Sequence, residues 1–278
     1  MKLFDKFKKE EEPIFHKGEN NLEIKEGRHF FENCEEIVLT GKAIALETTN
    51  STFKEVSGKA KIYVFNSGKI KTLSGKAVVG LFKEGEITNV LGSAQITTIN
   101  SAEIDYLKNK TKIGTFNGGS IKFLDDKAKV TTFNNGKILY MRNNSKIGTL
   151  INGEILALED NAQITTIMNG KIGQVLNKAF VGTINAGEID KICDEAKISS
   201  QNDGTIALLM GNAKIDAQIQ GKVASSAGDS EITYSQGAAN NFSVTLPLKE
   251  QSVKKEEEKV KTEKEEEEKV KTEKVEEE

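Results

Sequence analysis

Two histidines, His16 and His29, and two cysteines, Cys34 and Cys193, are the residues of this 278-residue chain best suited to proton transfer, nucleophilic attack or metal binding. A cysteine beside a histidine can make an activated nucleophile, and two of each can hold zinc. The spacing suits neither. The cysteines lie far apart, with no second ligand at metal-site spacing and no disulfide framework, so a reducing compartment is the simplest expectation. Both histidines precede the regular part of the sequence. Neighbouring carboxylates, Asp125 with Asp126 and Glu159 with Asp160, could do general acid–base work. Each pair falls in a turn position, however, where local bonding to the backbone accounts for such side chains better. No glycine-rich phosphate loop and no metal triad is present. The expectation is a protein that is not an enzyme, with no catalytic residues, no metal, no cofactor and no small-molecule ligand.

Composition narrows the class further. Lys+Arg number 39 against 42 Asp+Glu, and only 6% of residues are aromatic, with no tryptophan. A near-neutral balance does not suggest a nucleic-acid partner. No secretory h-region and no long apolar span appears. Pro13 and Pro247 are the two prolines, and none interrupts the residues between them. Proline removes a ladder hydrogen bond, so its exclusion from so long a stretch fits continuous sheet.

The elements that would position any functional side chain follow from a repeat. The hexapeptide AQITTI occurs at 94–99 and again at 162–167, with the near copy AKVTTF between them. From Ile96 through Ile104, Ile113 and Ile121 to Ile232, a β-branched residue recurs in steps that alternate 8 and 9, giving a period of 17. The register carries back through Val78, Ile70, Ile62 and Phe53 to Ile44 and Ile37. Three residues after most of these positions comes a second apolar residue, such as Ile99, Phe116 or Leu150. Two before them stands a small residue, Ala in one half (Ala94, Ala128, Ala162) and Gly in the other (Gly119, Gly136, Gly153). Segments this short, closed by Asn, Asp or Gly and rich in Ile, Val and Thr, are strands rather than helices. The predicted fold is all-β: a single-stranded parallel β-solenoid, or β-helix, of about 12 coils, about 60 Å long at a spacing of about 4.8 Å per coil. Residues 1–27 are assigned to an N-terminal tail, 28–246 to the solenoid and 247–278 to a Lys/Glu-rich disordered tail.

Stacked coils bring equivalent positions into columns. Thr98, Thr115, Thr132, Thr149, Thr166 and Thr183 form one such column, and their neighbours alternate Thr97, Gly114, Thr131, Gly148, so a two-coil unit underlies the one-coil repeat. Adjacent threonines do not make the Thr-x-Thr array of an ice-binding face. The column is read instead as a slim, flat face for lateral packing between rods. Asn and Asp tolerate the left-handed backbone that corners need. Asn109, Asp126, Asn143, Asp160, Asn177 and Asp194 occupy one corner, and Asn135, Asn152, Asn169 and Asp203, each immediately before glycine, form a turn ladder at another. Gln201, Gln218 and Ser226 replace apolar residues in the last coils, and Phe242, Val244 and Leu246, ahead of Pro247, read as a closing strand. At the other end, Leu3, Phe4 and Phe7 share one side of a short lysine-flanked segment, the composition of a membrane-surface anchor.

These parts resemble bactofilins, bacterial polymer-forming cytoskeletal proteins. The resemblance rests on half-coils such as Ser145–Leu150 and Gly170–Val175, on the 17-residue coil and on tails flanking a solenoid core. It implies a right-handed triangular β-helix that polymerises end to end without nucleotide. The functional expectation is a non-enzymatic scaffold or filament subunit that associates with itself. It would be cytoplasmic, and peripheral to the inner face of the membrane if the N-terminus tethers it. The competing expectation is a capped shaft or spacer of a phage or surface fibre.

Overall fold

A computed structural model of the protein describes residues 12–238, all within the first of two compact units, Met1–Ser243. The anchor residues Leu3, Phe4 and Phe7, the closing strand around Phe242–Leu246 and the Lys/Glu-rich segment lie outside the described residues.

Within them the fold is a parallel β-solenoid of 27 strands and no helix. Alternate strands fall into two sheets, one of 14 strands beginning at Ile14–Lys17 and one of 13 beginning at Glu23–Ile24. The first is called here sheet 1 and the second sheet 2. Every strand pairs in parallel with the equivalent strand of the next coil, as Gln95 opposite Lys112 and Lys112 opposite Lys129 show. The turns stack too: the amide of Lys110 donates to the Gly92 carbonyl at 2.9 Å, and that of Lys127 to Asn109 at 2.9 Å. Backbone donors and acceptors of one coil are thus satisfied by the coils on either side. A proline in this region would leave one acceptor unpaired.

The inward positions explain the repeat. In the strand Gln95–Ile99 the second and fifth residues are buried and the third and fourth face out. Strict alternation would send Ile99 outward, so the strand bends between Thr97 and Thr98 and both isoleucines reach the core. Ala94 is fully buried, as are Ala128 and Ala162 in the same column. The same column holds Thr111 and Ser145, also fully buried, so the position takes small side chains. The column that holds Ile99 also holds Phe65, Phe82, Phe116 and Phe133. Phe116 and Phe133 stack at 4.9 Å with planes 6° apart, and Phe65 and Phe82 at 4.5 Å. Identical neighbours in register allow such stacks, each ring removing about 1.5–3 kcal/mol worth of apolar surface from water.

Two details differ from the sequence reading. The inward residue before Ile96 is Val79, wholly buried, while Val78 faces out; two coils earlier it is Ala45 rather than Ile44. In the adjacent valines 78–79 either residue satisfies a β-branched pattern, and only the backbone pairing decides. The coils also begin ahead of residue 28. Ile14 pairs with His29 and Ile24 with Leu39, shorter steps than the later 17, and register shifts follow at His29/Phe30 and Ile37/Val38. Shortened coils break the period, so the pattern alone misses them.

Toward the C-terminal end the core column changes character. Gln201 and Gln218 are wholly buried where earlier coils carry Ile, Leu or Phe. Gln218 Nε2 donates to Gln201 Oε1 at 3.1 Å, and Gln201 Nε2 donates to the Gly204 carbonyl at 3.1 Å. Amides stacked in register bond along the coil axis, which keeps their burial tolerable.

Candidate association face

Sheet 1 places the threonine column in register along six coils: Thr98 opposite Thr115, Thr115 opposite Thr132, and so on to Thr183 opposite Ser200. Each of these threonines is half-buried. The preceding outward position alternates Thr97, Gly114, Thr131, Gly148, Thr165 and Gly182, and the alternation has a steric cause. A Cβ on Gly114 would stand 2.4 Å from the Thr97 carbonyl oxygen, and one on Gly148 would stand 2.5 Å from that of Thr131. Every second coil therefore brings its backbone against the coil before it at the bend, and only glycine allows the approach. The result is a strip of small side chains.

Beside this strip runs an asparagine ladder that the sequence reading missed. Asn117 Nδ2 donates to Asn100 Oδ1 at 3.3 Å, Asn134 Nδ2 to Asn117 Oδ1 at 2.6 Å, and Asn202 Nδ2 to Asn185 Oδ1 at 2.9 Å. The signal was present as a 17-residue recurrence one position before the ladder named from sequence. That named ladder is exposed: the amides of Asn152 and Asn169 approach to 3.1 Å, and Asp203 Oδ1 accepts from the Gly204 amide at 2.6 Å. Left-handed backbone at this corner belongs to glycines such as Gly136 (φ 120°) and Gly204 (φ 94°).

The opposite corner carries the Asn and Asp residues in left-handed conformation themselves, from Asn109 (φ 62°) and Asp126 (φ 57°) to Asp194 (φ 62°). Their alternation has an electrostatic reason. Asp126 Oδ2 accepts from both the backbone and side-chain N–H of Asn109 at 3.0 Å, Asn143 donates its amide to Asp160 at 3.2 Å, and Asn177 donates to Asp194 at 3.0 Å. An unbroken aspartate column would stack like charges about 4.8 Å apart. With Asn between them, each carboxylate meets donors. This accounts for the two-coil unit at this corner, as the glycine approach does at the bend.

The residues with chemical potential are held in local networks. Asp125 is buried, and burial by itself would push its carboxyl up. The Asp126 backbone N–H at 2.8 Å, the Asn143 amide and the Arg142 guanidinium at 2.9 Å outweigh that and hold it below the usual carboxylate range. Burial pushes Glu159 up, with the Asp160 charge adding to it. Burial also pushes the Cys193 thiol up, which lowers its thiolate fraction. Cys34 is buried in the core. His16 and His29 do meet, Nε2 to Nδ1 at 3.1 Å, and His29 Nε2 lies 2.8 Å from the Glu26 carbonyl. A carbonyl only accepts, so His29 carries a proton on Nε2, and His16 Nδ1 in turn lies 3.1 Å from Glu19 Oε2. Among the described residues, no group of three or more His, Cys, Asp or Glu side chains is placed to hold a metal ion.

The ends of the stack are the other exposed feature. The first strand of sheet 1, Ile14–Lys17, shows Ile14 at 54% and Phe15 at 73% exposure, and the last, Glu231–Ser235, shows Tyr234 at 54%. Phe15 stacks on Phe30 at 4.5 Å on its one paired side. No protein-family model matches the chain, and no curated protein or solved structure is similar to it.

Proposed function

We propose that the protein is a non-enzymatic structural rod that associates with copies of itself end to end, a filament subunit of the bactofilin-like kind. One observation carries the reading: among the described residues, the first and last strands of sheet 1 carry an isoleucine and an exposed aromatic ring in the same columns. Ile14 and Ile232 belong to the column of Ile62 and Ile215, and Phe15 and Tyr234 to the outward column that includes Phe30 and Ala217. His16 and Ser235 share the column of Phe65 and Gln218. A second rod set on the first would continue the parallel pairing with isoleucine on isoleucine and ring on ring. An unpaired strand edge is a ready template for such addition. The threonine face, with its small side chains, supplies a surface for lateral packing of the rods.

Sedimentation velocity over a range of protein concentrations tests the end contact. The wild-type chain is expected to grow in sedimentation coefficient with concentration. Phe15→Asp and Tyr234→Asp, each at an exposed end position, are expected to keep it monomeric with an unchanged circular dichroism spectrum. Growth that both substitutions leave untouched would remove the end contact. A wild-type chain of fixed size at every concentration would favour the capped shaft instead.

A further inference from the structure

The 17-residue period gathers lysines that look scattered in the sequence. Lys42, Lys59, Lys76, Lys110 and Lys127 occupy one turn column, linked by turn-to-turn backbone bonds. Two residues on, Lys61, Lys112, Lys129 and Lys146 occupy the first outward column of sheet 1. All nine are exposed. From residue 42 to residue 194 these two columns contain no Asp or Glu; the other residues are Ser, Asn, Gln, Ile, Val and Phe, with Lys178. Among the described residues, none of the nine takes part in an ion pair. Other lysines do pair: farther along the same column of sheet 1, Lys197 lies 2.8 Å from Asp216 and Lys214 3.2 Å from Glu231, and three on sheet 2 are paired as well. Lys69 pairs with Glu86 at 2.8 Å, Lys137 with Glu154 at 3.4 Å and Lys171 with Asp190 at 3.3 Å. The acids of the adjoining turn column, Asp126 and Asp160, accept bonds from Asn109, Asn143 and Asn177.

A straight line of uncompensated charge spanning seven coils is about 29 Å long at the coil spacing. We propose that this lysine ridge is a contact line for an anionic lipid bilayer, along which the rod lies flat. Three observations favour a bilayer over other polyanions. The charges are all lysine, compact point charges on flexible stems, which suit a diffuse headgroup layer rather than bidentate phosphate recognition. The stacked row Tyr106–Phe123–Tyr140 is half-buried and lies on sheet 2, and beside the ridge the exposed ring is a single tyrosine, Tyr63, rather than a row on which successive bases could stack. The neighbouring outward positions of sheet 1 from Gln95 to Asn185 hold Thr, Gly, Asn and apolar residues without a carboxylate, and in the ridge's first coils the outward Glu47 accepts from Asn66 Nδ2 at 2.6 Å. The ridge acts in a single rod and does not depend on end-to-end association.

Vesicle co-sedimentation of the full chain tests this, using phosphatidylcholine alone or with phosphatidylglycerol added, at low and high salt. Binding is expected only to the anionic vesicles and is expected to fall with salt. Replacing Lys110, Lys112, Lys127 and Lys129 together by Gln is expected to weaken it by about six hundredfold, at roughly fivefold per lysine, with an unchanged melting temperature. The triple variant Leu3→Ala, Phe4→Ala, Phe7→Ala is expected to keep the lysine-dependent binding. Binding that survives the lysine substitutions, or that disappears with the N-terminal ones alone, would overturn the proposal. So would binding to a single-stranded oligonucleotide with none to vesicles.

Discussion

Asp125 shows how a single residue can be tied to the stack across coils. Its carboxylate takes a hydrogen bond from its own turn at the Asp126 amide and, at a separation of 17 residues, the guanidinium of Arg142, whose cation also lies 4.8 Å over the Phe123 ring. Because its folded-state pKa is depressed, the stability it contributes is fully present above the ordinary carboxylate value of about 3.9. That contribution is lost as the pH falls through the lower folded value. Asp125→Asn should cost about 1–3 kcal/mol near neutral pH and should remove this acid-side component. Thermal melts from neutral to acid pH check it: identical melting temperatures for both proteins at neutral pH would contradict the role. Much of this site was hidden from sequence. The pair Asp125/Asp126 was legible as a turn, but the partner Arg142 becomes a neighbour only once the coil is closed. The same holds for the lysine ridge. Net charge averages its lysines against acids on other faces, and only reading the chain in columns of 17 exposes it.

Among the elements, the bent strand of sheet 1 is the unit that repeats, and glycine at alternate bends is what lets it stack. Gly114→Ala would place a methyl 2.4 Å from the Thr97 carbonyl oxygen. The backbone of two coils would have to separate, a cost of about 1–3 kcal/mol. Thr131→Ala, at the same column but with an exposed side chain, should stay within about 0.5 kcal/mol of wild type. Urea unfolding midpoints of the two variants check the contrast, and equal midpoints would contradict the steric account. Here the sequence reading goes far. Small-x-Ile-x-x-apolar specifies three inward positions and a bend, and the buried Ala94, Ile96 and Ile99 occupy them. It fails where two β-branched residues adjoin, as at Val78 and Val79, because register is then fixed by pairing with neighbouring coils. It fails again in the first coils, where the shortened steps and bulges beside His29 and Ile37 erase the period.

For the whole molecule, regularity is the functional argument. Two parallel sheets run the length of the described residues, with core columns, amide ladders and turn columns all in register. Each coil contacts its two neighbours, so stability accumulates along the stack and length can be set by repeat number. The faces differ: sheet 2 carries the pairs Lys69–Glu86, Lys137–Glu154 and Lys171–Asp190, while the middle coils of sheet 1 present small side chains edged by the lysine ridge. A rod of this kind can place contacts at fixed spacing without any moving part. Whether it elongates is read most directly by negative-stain electron microscopy of the purified full chain over protein and salt concentration. The proposed structural role predicts thin filaments or ribbons many times longer than one stack of about 60 Å. Discrete rods of that single length at every concentration would contradict it.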